Sequence, residues 1–243
     1  MRKNILSFLL KVRKEYIGKS PFLISIYNTL NIHKQMVIGR LQKHGIEVLK
    51  QFDDCCEEYG FKYALAFGTL LGAVREKGFI KTDDDIDLYM WIDDYTPELP
   101  KALERFGFKW KHSFIVDDQK FAREDTFSYK DVDVDIFYLY QSEEFQYPYC
   151  CDFPPHPGCS SRIESLEKYG SLISRQIFLP INKDFVKVEF LGIFVPIPKN
   201  AHEILEFRYG QSYMTPIPRW KAGAYSNDHI IVRTDKTAKF YTY

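Results

Sequence analysis

The chain has 243 residues, of which 45% are hydrophobic and 16% aromatic, and its formal net charge is zero. This composition is typical of a folded globular domain with a sizeable core and excludes an intrinsically disordered chain. Because positive charge is not in excess, a protein whose main partner is nucleic acid is not expected. No run of about 18 apolar residues occurs, so the sequence predicts no transmembrane helix.

Residues 1–32 are predicted to form a helical preamble that is interrupted at Gly18 and Pro21. Its first turns are amphipathic and are interpreted as packing on the chain's own domain. Contact with the inner face of a cell membrane is the alternative. No small-residue cleavage site follows, which argues against a secretory signal. We therefore expect a cytoplasmic protein whose five cysteines are reduced.

A long amphipathic helix is predicted over residues 33–59, because Ile46, Leu49 and Phe52 belong to a run of apolar residues at helical spacing. Gly60 provides a stop signal for this helix. The elements predicted next are a strand at 61–67, a helix at 70–75, a strand at 86–91, a helix at 97–106, and strands at 108–116 and 132–140.

The second half of the chain carries fewer signals. The elements predicted there are a loop at 141–160, a helix at 163–172, a hairpin of 185–190 with 193–196, and a helix at 201–209. From about Tyr213 onward no periodicity is visible. Taken together, the elements predict a chain of the α/β class (α+β), with a small mixed sheet between flanking helices.

An acidic run, DDDIDL at residues 83–88, leads into a predicted strand. Side chains alternate across a strand, so Asp85 and Asp87 share one face. Ile86 and Leu88 then point into the core. Two carboxylates held so close repel each other unless a cation lies between them. A divalent metal such as Mg²⁺ suits this site, because it binds a few carboxylates together with phosphate oxygens of a substrate.

A second acidic strand, DVDVDIF at residues 131–137, places Asp131, Asp133 and Asp135 on one face. Beside the first strand, it would bring a third carboxylate to the metal. Acids in the middle of apolar β runs are costly unless they serve a purpose. The alternatives left open are a solvated turn at residues 83–85 and an exposed sheet face that carries Asp133 and Asp135.

Gly68 and Thr69 stand where a predicted strand turns into a helix. Glycine permits close approach of the backbone to a phosphate, and the free N–H groups at a helix start attract anions. The Thr69 hydroxyl would add a hydrogen bond. An ordinary helix cap is the alternative, since threonine also serves that purpose.

The run FGTLLGAVREKGFIKTDDDIDLYMW at residues 67–91 resembles the signature of the LicD family, which is also similar to fukutin-related proteins. These families belong to the nucleotidyltransferase-fold superfamily. The later segments VDIF at 134–137 and RYG at 208–210, with Pro216 downstream, resemble further parts of the family pattern. The resemblance implies a nucleotidyltransferase-like catalytic domain over residues 33–220, followed by a C-terminal tail at 221–243 that is interpreted as solvated.

The resemblance also implies a function. Members transfer a phospho-alcohol, either phosphocholine or a polyol phosphate, from a CDP-activated donor to a cell-surface glycan such as lipopolysaccharide, teichoic acid or capsule, and release CMP. It implies that Asp85, Asp87 and Asp135 are catalytic and hold Mg²⁺ or Mn²⁺, with Asp135 as third ligand or as base. The remaining residues that it implies as substrate contacts are Gly68, Thr69, Arg75, Asp83, Asp84 and Asp133.

Two departures leave the substrate open. The family commonly has His after the arginine and Pro-Trp before the acidic triplet, whereas this chain has Glu76 and then Lys81-Thr82. An ion pair with a nearby acid is the alternative role for Arg75. Two alternative functions also stay open: a nucleotidyltransferase that moves a nucleoside monophosphate with pyrophosphate release, and a non-catalytic glycan-binding protein.

A cluster of metal-ligand residues lies at 150–159, where Cys150, Cys151, His156 and Cys159 occur within one short segment. Zinc binds such side chains, so a structural zinc ion is one interpretation. The spacing does not match a standard zinc finger, and the preferred interpretation is a proline-rich loop with reduced thiols.

Overall fold

A computed structural model describes residues 32–216 and 229–243. The predicted N-terminal preamble, together with its suggested membrane contact, lies outside these residues except for its last position. Within the described ranges, no helix combines the length and the apolar character needed to cross a lipid bilayer.

Helices and strands are interspersed along the described part of the chain. The helices are α1 (Ile32–Tyr59), α2 (Phe67–Arg75), α3 (Glu98–Arg105), α4 (Arg162–Tyr169) and α5 (Ala201–Tyr209). The strands are β1 (Ala64–Leu65), β2 (Asp85–Trp91), β3 (Lys109–Val116), β4 (Ala122–Tyr129), β5 (Val132–Leu139), β6 (Tyr149–Asp152), β7 (Ser171–Phe178), β8 (Phe185–Phe190), β9 (Ile193–Pro198) and β10 (Ile230–Thr242).

Eight strands build one sheet in the order β1-β2-β5-β4-β3-β10-β7-β6, and β8 pairs with β9 in a separate hairpin. The β2–β5 pair is parallel, whereas the other neighbours in the sheet are antiparallel. Tyr140, just after β5, bridges to Tyr149 of β6, so the sheet curls back on itself. This architecture confirms the predicted mixed α/β class with flanking helices. The prediction of a small sheet was wrong, because eight strands join it.

Helix α1 lies against β2 and β5 and covers one face of the sheet. Its apolar stripe includes Leu41, Leu49 and Phe52, all fully buried. The Phe52 ring meets Tyr63 and Phe108 edge-on, with centroids 5.1 and 5.9 Å away. Burial of each such side chain contributes roughly 1.5–3 kcal/mol. This face is therefore core, and the opposite face of β2 and β5 is left for other contacts.

Helix α2 is anchored to β2 by its first turn. The Ala66 N–H donates to the Asp87 carbonyl at 2.9 Å, and the Asp87 N–H donates to the Thr69 hydroxyl at 3.0 Å. Gly72 lets the following loop fold back over the helix, because an added Cβ would lie 2.4 Å from the Gly78 carbonyl oxygen. These contacts fix the start of α2, and the loop that follows it, against the acidic strand β2.

Most of the strongly periodic elements are confirmed. The structure has helices at Ile32–Tyr59 and Ala201–Tyr209, and strands at Asp85–Trp91 and Val132–Leu139, close to the predicted bounds. The predicted hairpin is β8–β9, with Leu191 and Gly192 at its turn. Periodicity was reliable here because each element buries one continuous apolar stripe or face.

Other predictions were wrong or incomplete. Regular structure was not expected after about Tyr213, yet β10 is a strand of the sheet that pairs with β3 and β7. Most of its side chains are half-buried or exposed, so no alternation marked it. The predicted loop at 141–160 contains β6, and the strands β4 and β7 were not predicted. The strand predicted at 61–67 is reduced to two residues, Ala64–Leu65.

Candidate active site

The acidic residues of the two predicted strands are brought together by parallel pairing. In the β2–β5 register, Asp85 lies opposite Asp133, and Asp87 lies opposite Asp135. The four side chains therefore share the face of the sheet that α1 does not cover. Two alternate pairs of this ladder, with Ile86 opposite Val134 between them, carry a carboxylate on each strand, as the sequence predicted.

Three of these carboxylates form a group suited to a metal ion. One oxygen from each of Asp85, Asp87 and Asp135 lies within 4.8 Å of the others. Within the two described ranges, no other set of three His, Cys, Asp or Glu side chains has this arrangement. Oxygen-only donors match hard divalent cations such as Mg²⁺ or Mn²⁺. The residues present thus fit the implied metal.

The electrostatics of this group also favour a cation. Burial raises the pKa of Asp85 to about 7, with Asp135 as the next cause. Burial likewise raises the pKa of Asp135 to about 6, although the Thr126 hydroxyl opposes the shift. The pKa of Asp87 is raised well above its ordinary value by burial and by Asp85. Like charges crowded into a partly desolvated site disfavour ionisation, and a bound divalent cation would reverse that preference.

Asp135 is oriented by a short hydrogen-bond chain. The Thr126 hydroxyl donates to Asp135 Oδ1 at 2.6 Å and lies 3.1 Å from His112 Nε2. Because the hydroxyl proton is directed to the carboxylate, the Thr126 oxygen accepts from His112, which places a ring proton on Nε2. Burial lowers the pKa of His112, which favours the neutral ring. Such outer contacts hold ligand side chains in place at metal sites.

Gly68 and Thr69 are placed differently from one another. Gly68 lines the cleft in front of the carboxylates, and its N–H donates to the Asp87 carboxylate. Thr69 is buried, and its hydroxyl accepts from the Asp87 N–H, so it does not face the cleft. Helix α2 turns the Thr69 side chain towards β2, so its hydroxyl bonds the backbone of that strand and does not lie in the cleft, where a phosphate contact was predicted.

The cleft that contains the carboxylates has a volume of about 410 Å³. Its lining combines acidic, basic and aromatic side chains: Phe67, Gly68, Asp83, Asp84, Asp85, Asp87, Glu124, Asp135, Phe137, Asp152, Arg162, Ile177, Arg208 and Tyr209. Burial, with Asp84 next, raises the pKa of Asp83 to about 6. Of the residues predicted as substrate contacts, Gly68, Asp83 and Asp84 therefore lie at the cleft.

Two other predicted substrate contacts, Arg75 and Asp133, do not line it. The Arg75 guanidinium pairs with the Glu76 carboxylate at 2.8 Å and donates to the Tyr213 carbonyl at 3.3 Å. This agrees with the ion pair considered as its alternative role. Asp133 is opposite Asp85 but bonds Lys111 at 2.5 Å. Both side chains are engaged by protein partners beside the cleft.

Several cleft residues escaped the sequence analysis. Glu124 lies on β4, a strand that was not predicted, and its pKa is raised by burial and then by Asp135. Asp152 and Arg162 come from β6 and from the start of α4. Arg208 and Tyr209 belong to the RYG segment, which the family resemblance had marked without assigning a role. Only that segment carried a signal in the sequence.

The cysteine and histidine cluster is not assembled into a metal site. Cys150 and Cys151 are consecutive residues of β6, both fully buried, so their side chains point to opposite faces. The His156 ring bonds the Ser171 hydroxyl at 3.1 Å instead. Burial raises the pKa of the Cys151 thiol well above its usual range, which disfavours the thiolate that zinc requires. The zinc interpretation is not supported by these contacts.

The sequence of this chain is similar to that of known proteins over most of the segment that forms the cleft. Residues 60–200 match the family model described as "LicD/FKTN/FKRP, nucleotidyltransferase domain". A "Ribitol-5-phosphate transferase FKTN" of Mus musculus is 28% identical over 181 residues, which are 74% of this chain and 35% of that protein. A "Lipopolysaccharide cholinephosphotransferase LicD" of Haemophilus influenzae is 45% identical over 62 residues, 26% of this chain and 23% of that protein. The alignments thus cover about a third or less of either relative's length.

Proposed function

The chain belongs to the LicD/FKTN/FKRP family of nucleotidyltransferase domains, and from this premise we propose that it is a metal-dependent phosphotransferase. It moves a phosphorylated alcohol from a CDP-activated donor to a hydroxyl of a cell-surface glycan and releases CMP. The observation that carries the proposal is the grouping of Asp85, Asp87 and Asp135 within 4.8 Å of one another in an open cleft.

The three carboxylates would hold Mg²⁺ or Mn²⁺. When bound, such an ion neutralises the charge of the donor's phosphates and favours departure of the nucleotide. The protein itself holds the three carboxylate oxygens close together. Two features do this: the parallel register of β2 and β5, and the hydrogen bond from the Thr126 hydroxyl to Asp135. Phosphoryl transfer depends mainly on positioning and charge neutralisation, so this rigid acidic wall suits it.

The proposed transfer forms one phosphorus–oxygen bond and breaks another. The acceptor hydroxyl oxygen forms a bond to the distal phosphorus of the donor, and the bond from that phosphorus to the bridging oxygen breaks. CMP leaves with the electron pair of that bond, and the hydroxyl proton passes to a carboxylate of the cleft. Asp83 and Asp84 line the cleft beside Asp85 and face the same reaction space. Arg208, whose guanidinium lies 5.9 Å from the Phe67 ring centroid next to Gly68, supplies positive charge for the phosphates.

The names of the two relatives indicate the class of transferred group. One relative transfers phosphocholine to lipopolysaccharide, and the other transfers ribitol 5-phosphate. For this chain we propose phosphocholine or a polyol phosphate as the group, and lipopolysaccharide, teichoic acid or capsule as the acceptor. A cytoplasmic setting is part of the proposal, and the five cysteines would be reduced there.

The test is CMP release by the purified full chain with Mg²⁺ or Mn²⁺. CDP-choline, CDP-ribitol, CDP-glycerol and CDP-ethanolamine are compared, each with and without candidate glycans. We expect metal-dependent CMP release from one donor, reduced on the order of 10³-fold in Asp85→Asn, because the ion supplies several kcal/mol of transition-state stabilisation. Asp93→Asn is the matched control, since Asp93 is exposed and pairs with Lys183 away from the cleft.

Three results contradict the proposal or a part of it. Pyrophosphate release from a nucleoside triphosphate, with no CMP release from any CDP compound, favours the nucleotidyltransferase alternative. Absence of both products from a folded protein that binds no divalent metal favours the non-catalytic alternative. Equal activity of Asp85→Asn and Asp93→Asn contradicts the assignment of the acidic group itself.

A further inference from the structure

One cleft residue, Glu124, is unusual among the acidic side chains. It is only 4% exposed, yet it lines the cleft. Its Oε2 atom is fully buried and has no hydrogen-bond partner within the described part of the chain. A buried polar atom without a partner costs about 1–3 kcal/mol, so an arrangement of this kind is retained where a ligand completes it.

The strand register places Glu124 beyond the metal group. On β4, Thr126 lies opposite Asp135, and Glu124 lies two pairs further along the ladder, opposite Phe137. Both β4 residues face the cleft, because they are two positions apart on one strand. Glu124 therefore marks a second end of the cleft, next to the acidic group but not part of it.

The charges at this end are nearly balanced. Asp152 is bound by Arg175, whose Nε lies 2.8 Å from Asp152 Oδ1. Arg162 lines the cleft and makes no ion pair within residues 32–216 and 229–243, and the same holds for Arg208. Among the described residues, the second end thus offers one buried carboxyl oxygen without a hydrogen-bond partner and two guanidinium groups without an ion pair, and negative charge is not in excess there.

We propose that this second end is a subsite for a neutral group that carries several hydroxyls, a polyol or a sugar. A ligand hydroxyl donates to Glu124 Oε2, and Arg162 donates to another hydroxyl oxygen of the same ligand. A quaternary ammonium group has no N–H to satisfy Oε2, and the cations Arg162 and Arg208 would repel it. The inference rests on the proposed function in one respect: the hydroxyls belong either to the transferred alcohol or to the acceptor glycan.

The first arm of the test needs no donor. Saturation-transfer NMR is recorded for ribitol, methyl β-glucoside and choline with the full chain and Mg²⁺. We expect signal for a hydroxylated compound and none for choline, and we expect that signal to fall by up to about tenfold in Glu124→Leu, the loss typical of one hydrogen bond to a buried neutral group. Glu124→Gln keeps an oxygen and should retain part of it. Glu104→Leu, on the exposed side of α3, is the matched control.

The second arm locates the source of the hydroxyls. Calorimetric binding of CDP, CDP-ribitol and CDP-choline is compared in the presence of Mg²⁺. Binding of CDP-ribitol about tenfold tighter than CDP, an advantage lost in Glu124→Leu, assigns the subsite to the transferred polyol. Equal binding of CDP and CDP-ribitol, with Glu124-dependent signal from the free glucoside, assigns it to the acceptor. Both results support the subsite.

The overturning results are distinct from a failure of the donor proposal. Tighter binding of CDP-choline than of CDP-ribitol, or hydroxylated ligands that bind Glu124→Leu as well as the unaltered protein, overturns the inference. If no CDP compound binds but the polyol signal still depends on Glu124, the donor proposal fails and the subsite stands. Thermal unfolding of each variant checks its fold, and Glu124→Leu should fold because the altered oxygen has no protein partner.

Discussion

Buried acidic side chains on the two faces of β4 and β5 differ in whether protein partners compensate them. On the face covered by α1, Asp125 is almost completely buried and fully bonded. It accepts from the Ser113 hydroxyl at 2.5 Å, from Arg123 Nε at 2.9 Å and from the Tyr138 hydroxyl at 2.9 Å. The Arg123 guanidinium also lies 4.1 Å from the Tyr95 ring centroid. The charges of Asp125 and Arg123 are therefore both compensated by partners within the protein.

On the cleft face, one residue away along the same strands, the acids are gathered instead of compensated. Asp85, Asp87 and Asp135 face one another, and Glu124 has an oxygen without a partner. Burial of a carboxylate therefore does not by itself mark a functional site. What marks it is a group of carboxylates whose neighbours raise the pKa, because that arrangement is unfavourable until a cation or a ligand enters.

Acid-to-amide substitutions on the two faces should therefore differ in their effect on the free energy of unfolding. Asp125→Asn leaves the buried Arg123 without its counter-charge, and we expect the free energy of unfolding to fall by about 3–5 kcal/mol. Asp87→Asn removes like-charge repulsion, so the metal-free protein should be unchanged or slightly more stable. Urea unfolding of both variants measures the difference.

A double variant, Arg123→Met with Asp125→Leu, is the control for this experiment. It replaces both charges by apolar groups and should recover part of the loss. An Asp87→Asn variant that is destabilised as strongly as Asp125→Asn would contradict the distinction between the two faces.

A second prediction concerns pH and metal. The pKa of Asp85 rises from 3.8 to about 7 on folding. A raised carboxyl pKa means that the folded state binds more protons, so this contribution is fully present below about pH 4 and is lost as the pH rises to about 7. Without metal, the melting temperature of the unaltered protein relative to Asp85→Asn should fall over that window.

Added Mg²⁺ or Mn²⁺ should reverse this loss, with a larger increase in melting temperature at pH 8 than at pH 5, because protons compete for the same oxygens. A metal concentration of 100 times the Kd adds about 2.7 kcal/mol. Differential scanning fluorimetry at both pH values provides the measurement. A metal effect that is equal at both, or equal in Asp85→Asn, would mean that the ion binds elsewhere.

The smallest expected effect comes from the hydrogen-bond chain behind Asp135. Thr126→Val removes the hydroxyl but keeps the shape, so Asp135 loses its orienting bond. We expect metal affinity to fall about 10–100-fold, as is typical of such outer contacts. Thr126→Ser keeps the hydroxyl and should restore most of the affinity, measured by isothermal titration calorimetry. If serine and valine weaken binding equally, Thr126 acts through packing and not through its hydrogen bond.

The local chemistry of this protein could be predicted from its sequence. The spacing of Asp85 and Asp87 places them on one strand face whatever that strand contacts, because side-chain alternation is a local property of the backbone. The same holds for the apolar stripe of α1 and for the β8–β9 hairpin. The LicD resemblance identified the family from one continuous run at residues 67–91.

Long-range contacts decided the rest. Whether Glu124 or Asp125 faces the cleft depends on the register of β4 against β5, and both residues are acids in adjacent positions. Arg162 reaches the cleft only because the sheet curls until β6 approaches β4 and β5, which brings along α4, packed on the neighbouring strand β7. Strand β10 has little apolar alternation of its own, and its place between β3 and β7 is set by backbone pairing with residues 53 to 130 positions away. Such pairings join segments far apart in the chain, so no local pattern encodes them.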